Sequence, residues 1–217
     1  MRTEIKFCGL TRAADAREAV ALGARYVGVI FAPGPRRLSM EQACAVLADV
    51  PKGVRRVGVF ADATVEVIAT AAETLGLGAV QLHGDDSGRL LDGVRSRFNG
   101  EVWSVLRLRD AGLPDIATEL FTAADAVLLD AHVPGKLGGT GVTLPWEQLA
   151  NDLNAVRSSA MGARLVLAGG LRAENVGEAI RLLRPDVVDV SSGVETAPGI
   201  KDHARMRAFR DAVHAST

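Results

Sequence analysis

Eight times in 217 residues, a short run of β-branched and apolar residues gives way to a longer run rich in Ala, Leu, Glu and Arg. The apolar runs fall at Glu4–Cys8, Tyr26–Phe31, Arg55–Phe60, Ala79–Leu82, Glu101–Leu106, Ala126–Asp130, Arg164–Ala168 and Val187–Val190, with little charge in their middles. Strands that read this way are parallel strands covered on both sides. Eight strand–helix units on so short a chain fit a closed (β/α)8 TIM barrel of parallel strands, a single domain over residues 1–217, better than an open sheet.

The intervening runs carry helix punctuation. "TRAADAREAVALG" offers Thr11 as an N-cap and Gly23 as a stop. Ser39 stands three residues before Gln42, the capping-box spacing. "TVEVIATAAETLG" opens on Thr64 and closes on Gly76, and further helices are expected over Asp86–Phe98, Leu113–Ala123, Trp146–Ser159, Ala173–Leu183 and Asp202–Ala215.

Composition narrows the function. The formal net charge is −1, which gives no support for a nucleic-acid partner or an anionic membrane surface. No apolar run is long enough to span a membrane, and the N-terminus lacks a secretion signal, so a cytoplasmic location is the default expectation. Cys8 and Cys44 do not form a C-x-x-C pair, so no metal site is expected from them. Sequence alone leaves the choice between monomer and homodimer open.

In a barrel of this class the chemistry sits where strands end and βα loops begin. Lys6 and Cys8 lie two apart on the first strand and share a face, with Cys8 at its end. A nearby cation lowers a thiol's pKa, so Lys6 is expected to raise the thiolate fraction of Cys8. Cys44, in "QACAVL", reads as an ordinary helix-face residue. Asp130 closes the sixth strand, where a carboxyl group suits a general acid, and His83 closes the fourth. Glycine-rich loops follow the sixth, seventh and eighth strands: "GKLGGTG", with Gly139 and Gly141; "LAGGL", with Gly169 and Gly170; and "DVSSGVE", with Asp189, Ser191, Ser192 and Gly193. Glycines let backbone approach an anion closely, and the last two βα loops form the usual phosphate site of such barrels. None matches the P-loop pattern, so a nucleoside triphosphate is not indicated. After the second strand, Pro33 and Pro35 stiffen a loop holding Arg36 and Arg37, and a rigid guanidinium suits a carboxylate held through two hydrogen bonds.

The segments "KFCGLT", "GVIF…GPRRLS", "VGVF", "QLHG", "LLDA", "GGTG", "LAGGL…NV" and "VDVSSGVE…PGIKD" cover nearly the whole chain, and in this order they resemble the phosphoribosylanthranilate isomerases of tryptophan biosynthesis. Two departures stand out. Gly34 occupies the place of a serine in the family's S-P-R loop, and Leu144-Pro145-Trp146 follows "GGTG" where the family often has Phe-Asp-Trp. The resemblance implies a cofactor-free Amadori rearrangement of a small phosphorylated substrate. Asp130 would act as the acid on the ring oxygen and Cys8 as the base at C2′. Arg36 would hold the anthranilate carboxylate, Lys6, His83 and Asp189 would line the substrate site, and the late glycine loops would hold the phosphate.

Three other readings fit some of these residues. Lys6 suits a Schiff-base aldolase. His83, Asp130, His132 and Asp189 suit a divalent-metal epimerase of sugar phosphates. A sugar-phosphate sensor explains the glycine loops but not the pairing of Cys8 with Asp130.

Overall fold

The structure, a computed structural model, describes residues 2–84, 87–108, 112–130, 146–159 and 162–216. Eight parallel strands close into a barrel in chain order: β1 (Glu4–Phe7), β2 (Tyr26–Ile30), β3 (Arg55–Phe60), β4 (Ala79–Leu82), β5 (Glu101–Arg107), β6 (Ala126–Asp130), β7 (Arg164–Ala168) and β8 (Val187–Val190). The ring is sealed by β1 against β8, where Lys6 stands opposite Asp189. Around it lie α1 (Ala13–Ala21), α2 (Met40–Leu47), α3 (Val65–Leu75), α4 (Ser87–Arg95), α5 (Ala117–Ala123), α6 (Trp146–Ser159), α7 (Ala173–Leu183) and α8 (His203–His214).

The period-2 alternation of strand side chains divides the core in two. One set, including Phe7, Val27, Val80, Leu129 and Leu167, faces outward and packs against the apolar faces of the helices. The other, including Tyr26, Val57, Trp103, Leu128 and Val166, fills the barrel. Lys6, Gln81 and Asp189 belong to this inward set by register and are buried with it. A (β/α)8 barrel is filled by layers of side chains, and here the layer beneath the mouth is polar.

Several helix signals read from sequence take the expected form. Ser39 and Gln42 make a reciprocal capping box at α2. Thr64 caps α3, and Gly76 ends it in the left-handed conformation. At α8 the helix itself begins at His203, and Asp202, the first residue of the expected span, stands outside it as the N-cap, accepting from the amides of Ala204 and Arg205. Thr11 differs. The N-cap of α1 is Arg12, without a side-chain cap, because the Thr11 hydroxyl donates instead to the Gly199 carbonyl. Gly199 belongs to a small antiparallel hairpin, β9 (Glu195–Ala197) and β10 (Ile200–Lys201), which the sequence reading did not anticipate. The fifth helix begins at Ala117 rather than Leu113, after a turn in which Ala117 N donates to the Pro114 carbonyl.

Candidate active site

The strand ends converge on a cavity of about 400 Å³ bordered by Cys8, Arg36, His83, Asp130, Asp189, Gly169, Gly170 and the Ser191–Gly193 segment. Of the other site residues expected from sequence, His83 borders the cavity and Lys6 does not: it is hydrogen-bonded to Gln81 and Asp189, which do. Gly139, Gly141 and His132 lie outside the described residues, as do Leu144 and Pro145. Two larger hollows lie on the outside of the barrel, around α3 and α4, and neither borders Cys8 or Asp130.

Lys6 has no solvent-exposed surface. Its ammonium donates to Asp189 Oδ2 at 2.9 Å and Gln81 Oε1 at 3.0 Å, and lies 5.8 Å from the centre of the Trp103 ring. Burial alone would push the amine down, but the charges of Asp189 and Cys8 reverse this and hold Lys6 above its ordinary value. Gly28, on the neighbouring strand, makes the room: a Cβ there would stand 3.0 Å from Cys8 Sγ and 3.3 Å from Lys6 Cε. An amine tied to two partners beneath the mouth is poorly disposed to attack a carbonyl, which argues against the Schiff-base reading.

Cys8 differs from the sequence expectation. Burial pushes its thiol up, and this outweighs the pull of the Lys6 ammonium, while the Asp189 carboxylate pushes in the same direction as burial. A cation two residues away on the strand is visible in the sequence; the desolvation of a closed barrel mouth and the β8 carboxylate that offsets the cation are not. Asp189 Oδ1 is buried and has no hydrogen-bond partner among the described residues, and the residue borders the cavity.

Arg36 also departs from expectation. Its Nε and Nη2 donate to Glu195 Oε1 and Oε2 at 2.8 and 2.6 Å, so the carboxylate held in bidentate fashion is the chain's own. Glu195 further accepts from Lys201 Nζ at 2.8 Å and from the Gly199 amide at 3.3 Å. Burial would raise this carboxyl, but the hydrogen bonds from Arg36 and Lys201 hold it below its usual range. Lys201, fully buried at its side chain, also donates to the Ser191 carbonyl at 3.1 Å. The β9–β10 hairpin thereby links the arginine loop to the loop after β8. Sequence reasoning missed Glu195 and Lys201. The available signal was Pro198-Gly199 between two short runs, a turn dipeptide flanked by opposite charges.

The glycine loops bring backbone to the cavity. Gly169 and Gly170 have φ of 88° and 66°, in the left-handed region. Gly193 is packed so closely against the Leu171 carbonyl that a Cβ would collide with it, which joins the loops after β7 and β8. His83, mostly buried, is pushed down by desolvation, with Asp130 opposing and Arg107 and Lys6 adding to the effect. Among the described residues no group of three His, Cys, Asp or Glu side chains is arranged to hold a metal ion. No helix among them is long and apolar enough to cross a membrane.

Comparison with known proteins gives the same picture along the whole chain. Residues 5–212 match the family model for N-(5'-phosphoribosyl)anthranilate (PRA) isomerase. The N-(5'-phosphoribosyl)anthranilate isomerase of Acidithiobacillus ferrooxidans is 41% identical over 206 residues, 94% of each chain. The crystal structure of phosphoribosyl anthranilate isomerase from Thermotoga maritima superposes with a TM-score of 0.85 at 34% identity, covering 98% of this chain and 99% of that one. A second structure of such an isomerase, in complex with reduced 1-(o-carboxyphenylamino)-1-deoxyribulose 5-phosphate, superposes with a TM-score of 0.83 at 33% identity, covering 98% and 99%. With a cysteine, an aspartate and two glycine-rich loops around one barrel mouth, the chain belongs to the N-(5'-phosphoribosyl)anthranilate isomerase family.

Proposed function

We propose that this chain converts N-(5'-phosphoribosyl)anthranilate into 1-(2-carboxyphenylamino)-1-deoxyribulose 5-phosphate in tryptophan biosynthesis, with Cys8 as general base and Asp130 as general acid. The observation that carries this reading is that the two side chains border one cavity from β1 and β6, strands separated by β7 and β8 in the barrel. An acid and a base can thus act on different atoms of one bound sugar.

Asp130 gives its proton to the furanose ring oxygen, and the C1′–O bond breaks to leave an iminium. Cys8 thiolate takes the proton from C2′, and the electron pair neutralises the iminium to an enolamine. The enolamine tautomerises to the ketone. At this point the Asp130 proton is on the opened ring oxygen and Cys8 carries the proton from C2′, so the pair still holds one proton, and re-equilibration with solvent returns it from the thiol to the carboxylate and resets the enzyme. Each such proton transfer is typically worth ~10²–10⁴-fold in rate. Lys6 supports the transient thiolate electrostatically and remains protonated throughout.

The late glycine loops suit the substrate's phosphate, since Gly169, Gly170 and the Ser191–Gly193 backbone border the cavity. Arg36 suits the anthranilate carboxylate through the guanidinium edge that includes Nη1, because Nε and Nη2 are engaged by Glu195. The relative bound to the reduced product analogue supports a ligand of this size and charge. No cofactor enters the scheme, and a cytoplasmic location is part of the same proposal. Steady-state conversion of N-(5'-phosphoribosyl)anthranilate by the purified chain tests the reading. The expected result is saturable turnover unaffected by chelator, and binding without turnover would favour a sensor instead.

A further inference from the structure

One hydrogen-bonded chain crosses the barrel beneath the mouth. Asp189 Oδ2 accepts from Lys6 Nζ at 2.9 Å, Lys6 Nζ also donates to Gln81 Oε1 at 3.0 Å, and Gln81 Nε2 lies 3.1 Å from His83 Nδ1. A lysine ammonium has donors only, so the Gln81 amide must turn its oxygen toward Lys6. Its NH2 group then faces His83, and an NH2 can only donate. His83 Nδ1 is therefore an acceptor, and a neutral ring carries its proton on Nε2. A proton on both ring nitrogens would set N–H against N–H. Gln81 is 2% exposed, and Lys6 is fully buried, so neither partner is disposed to turn toward water.

We propose that Gln81 is a positioning residue that holds His83 as the neutral Nε2–H tautomer, so that His83 meets the substrate as a hydrogen-bond donor and not as an acid or base. The fixed sign of Lys6 is transmitted through the amide dipole to the ring. The charged groups acting on His83 are Asp130, Asp189, Arg107 and Lys6. Arg107 also donates to the His83 backbone carbonyl at 2.7 Å, which anchors the strand end. Burial favours the uncharged ring, in agreement with a donor that keeps its proton. The inference rests on the assignment of Cys8 and Asp130 as the proton-transfer pair, and it explains why a histidine at the same cavity leaves that work to them.

The test is nitrogen NMR of histidine-labelled, ligand-free protein, with His83 assigned by its loss in His83→Asn. The expected spectrum shows His83 Nδ1 unprotonated and Nε2 protonated across the neutral pH range. In Gln81→Glu, a carboxylate beside Nδ1 accepts a hydrogen bond from a protonated Nδ1 and stabilises the charged ring, so His83 is expected to titrate at least about tenfold more readily to the imidazolium. Gln81→Leu removes the restraint and is expected to mix the two tautomers. A proton on Nδ1 in the unmodified protein would overturn the proposal, even if neither variant folds, and so would a His83 spectrum unchanged in both variants. The spectrum needs no turnover, so failure of the isomerase reading would be seen separately, as an inactive protein with the expected tautomer.

Discussion

Glu195 accepts two hydrogen bonds from Arg36, at Nε and Nη2, and a third from Lys201. The arginine loop after β2 and the hairpin after β8 are therefore clamped through one carboxylate, and Arg36 is held at the cavity before any ligand arrives. Glu195→Gln leaves two cations facing an amide. Removing one partner of a buried ion pair costs roughly 3–5 kcal/mol, which for a chain of this size lowers the unfolding midpoint on the order of 10 °C. KM is expected to rise by about tenfold while kcat changes less, because orientation of a binding group is lost and not the acid or base. Steady-state kinetics alongside thermal melts check this, and a variant with unchanged KM would mean that Arg36 positions itself.

The same carboxylate links stability to pH. Because Glu195 is held below its usual range in the folded chain, the unfolded chain binds more protons in the acid region. Its contribution is present above the ordinary glutamate value of about 4.3 and is lost as pH falls through the lower folded value. Melting curves taken down through that region should show a smaller acid-side loss in Glu195→Gln than in the unmodified protein. Parallel losses in both would assign acid sensitivity to other carboxylates, such as Asp15, which Arg12 and His203 hold low in the same manner.

Gly193 tests the proposal that the loops after β7 and β8 hold the phosphate. A Cβ there would collide with the Leu171 carbonyl, so Gly193→Ala must push the loops after β7 and β8 apart. Affinity for inorganic phosphate, measured by competition against the substrate, should fall by about tenfold or more, the loss expected for charge-assisted hydrogen bonds that no longer converge. Unchanged competition would place the phosphate elsewhere around the mouth.

The barrel itself was legible in the sequence because its signal is repeated. All eight strands and the order of the helices follow from apolar runs that parallel burial requires, and Ser39, Thr64 and Gly76 mark helix ends by local chemistry. Thr11 failed as a cap because its hydroxyl is claimed by Gly199, 188 residues away, and no local pattern encodes such a contact. The lining of the cavity was legible for residues at strand ends, since register alone carries Cys8, His83 and Asp130 to one mouth. Their electrostatics were not. The direction of the Cys8 shift depends on burial and on a carboxylate from β8, and the partner of Arg36 comes from a hairpin too short to announce itself.

That raised thiol fixes the form of the pH profile. A pair that works with one proton between its members titrates in two macroscopic steps, and the later step sets the alkaline limb of kcat/KM. Burial carries Cys8 above its ordinary value, so the alkaline limb is expected to lie above about 8.5. Cys44→Ala, which removes the exposed thiol, should leave that limb in place. An alkaline limb below the ordinary thiol value would mean that Lys6 prevails over burial, as the sequence alone suggested.

The most direct measurement is turnover of N-(5'-phosphoribosyl)anthranilate by Cys8→Ser and Asp130→Asn, each paired with the affinity of the reduced product analogue. Both substitutions keep side-chain volume nearly constant. A serine hydroxyl is far too weakly acidic to replace the thiolate, and an amide has no proton to give to the ring oxygen. The expected result is a fall in kcat of about 10²-fold or more in each, with analogue affinity within a few-fold of the unmodified protein, because proton transfer is made in the transition state and not in the bound ground state. Near-normal kcat in either variant would contradict the assignment of that residue and return it to the lining of the cavity.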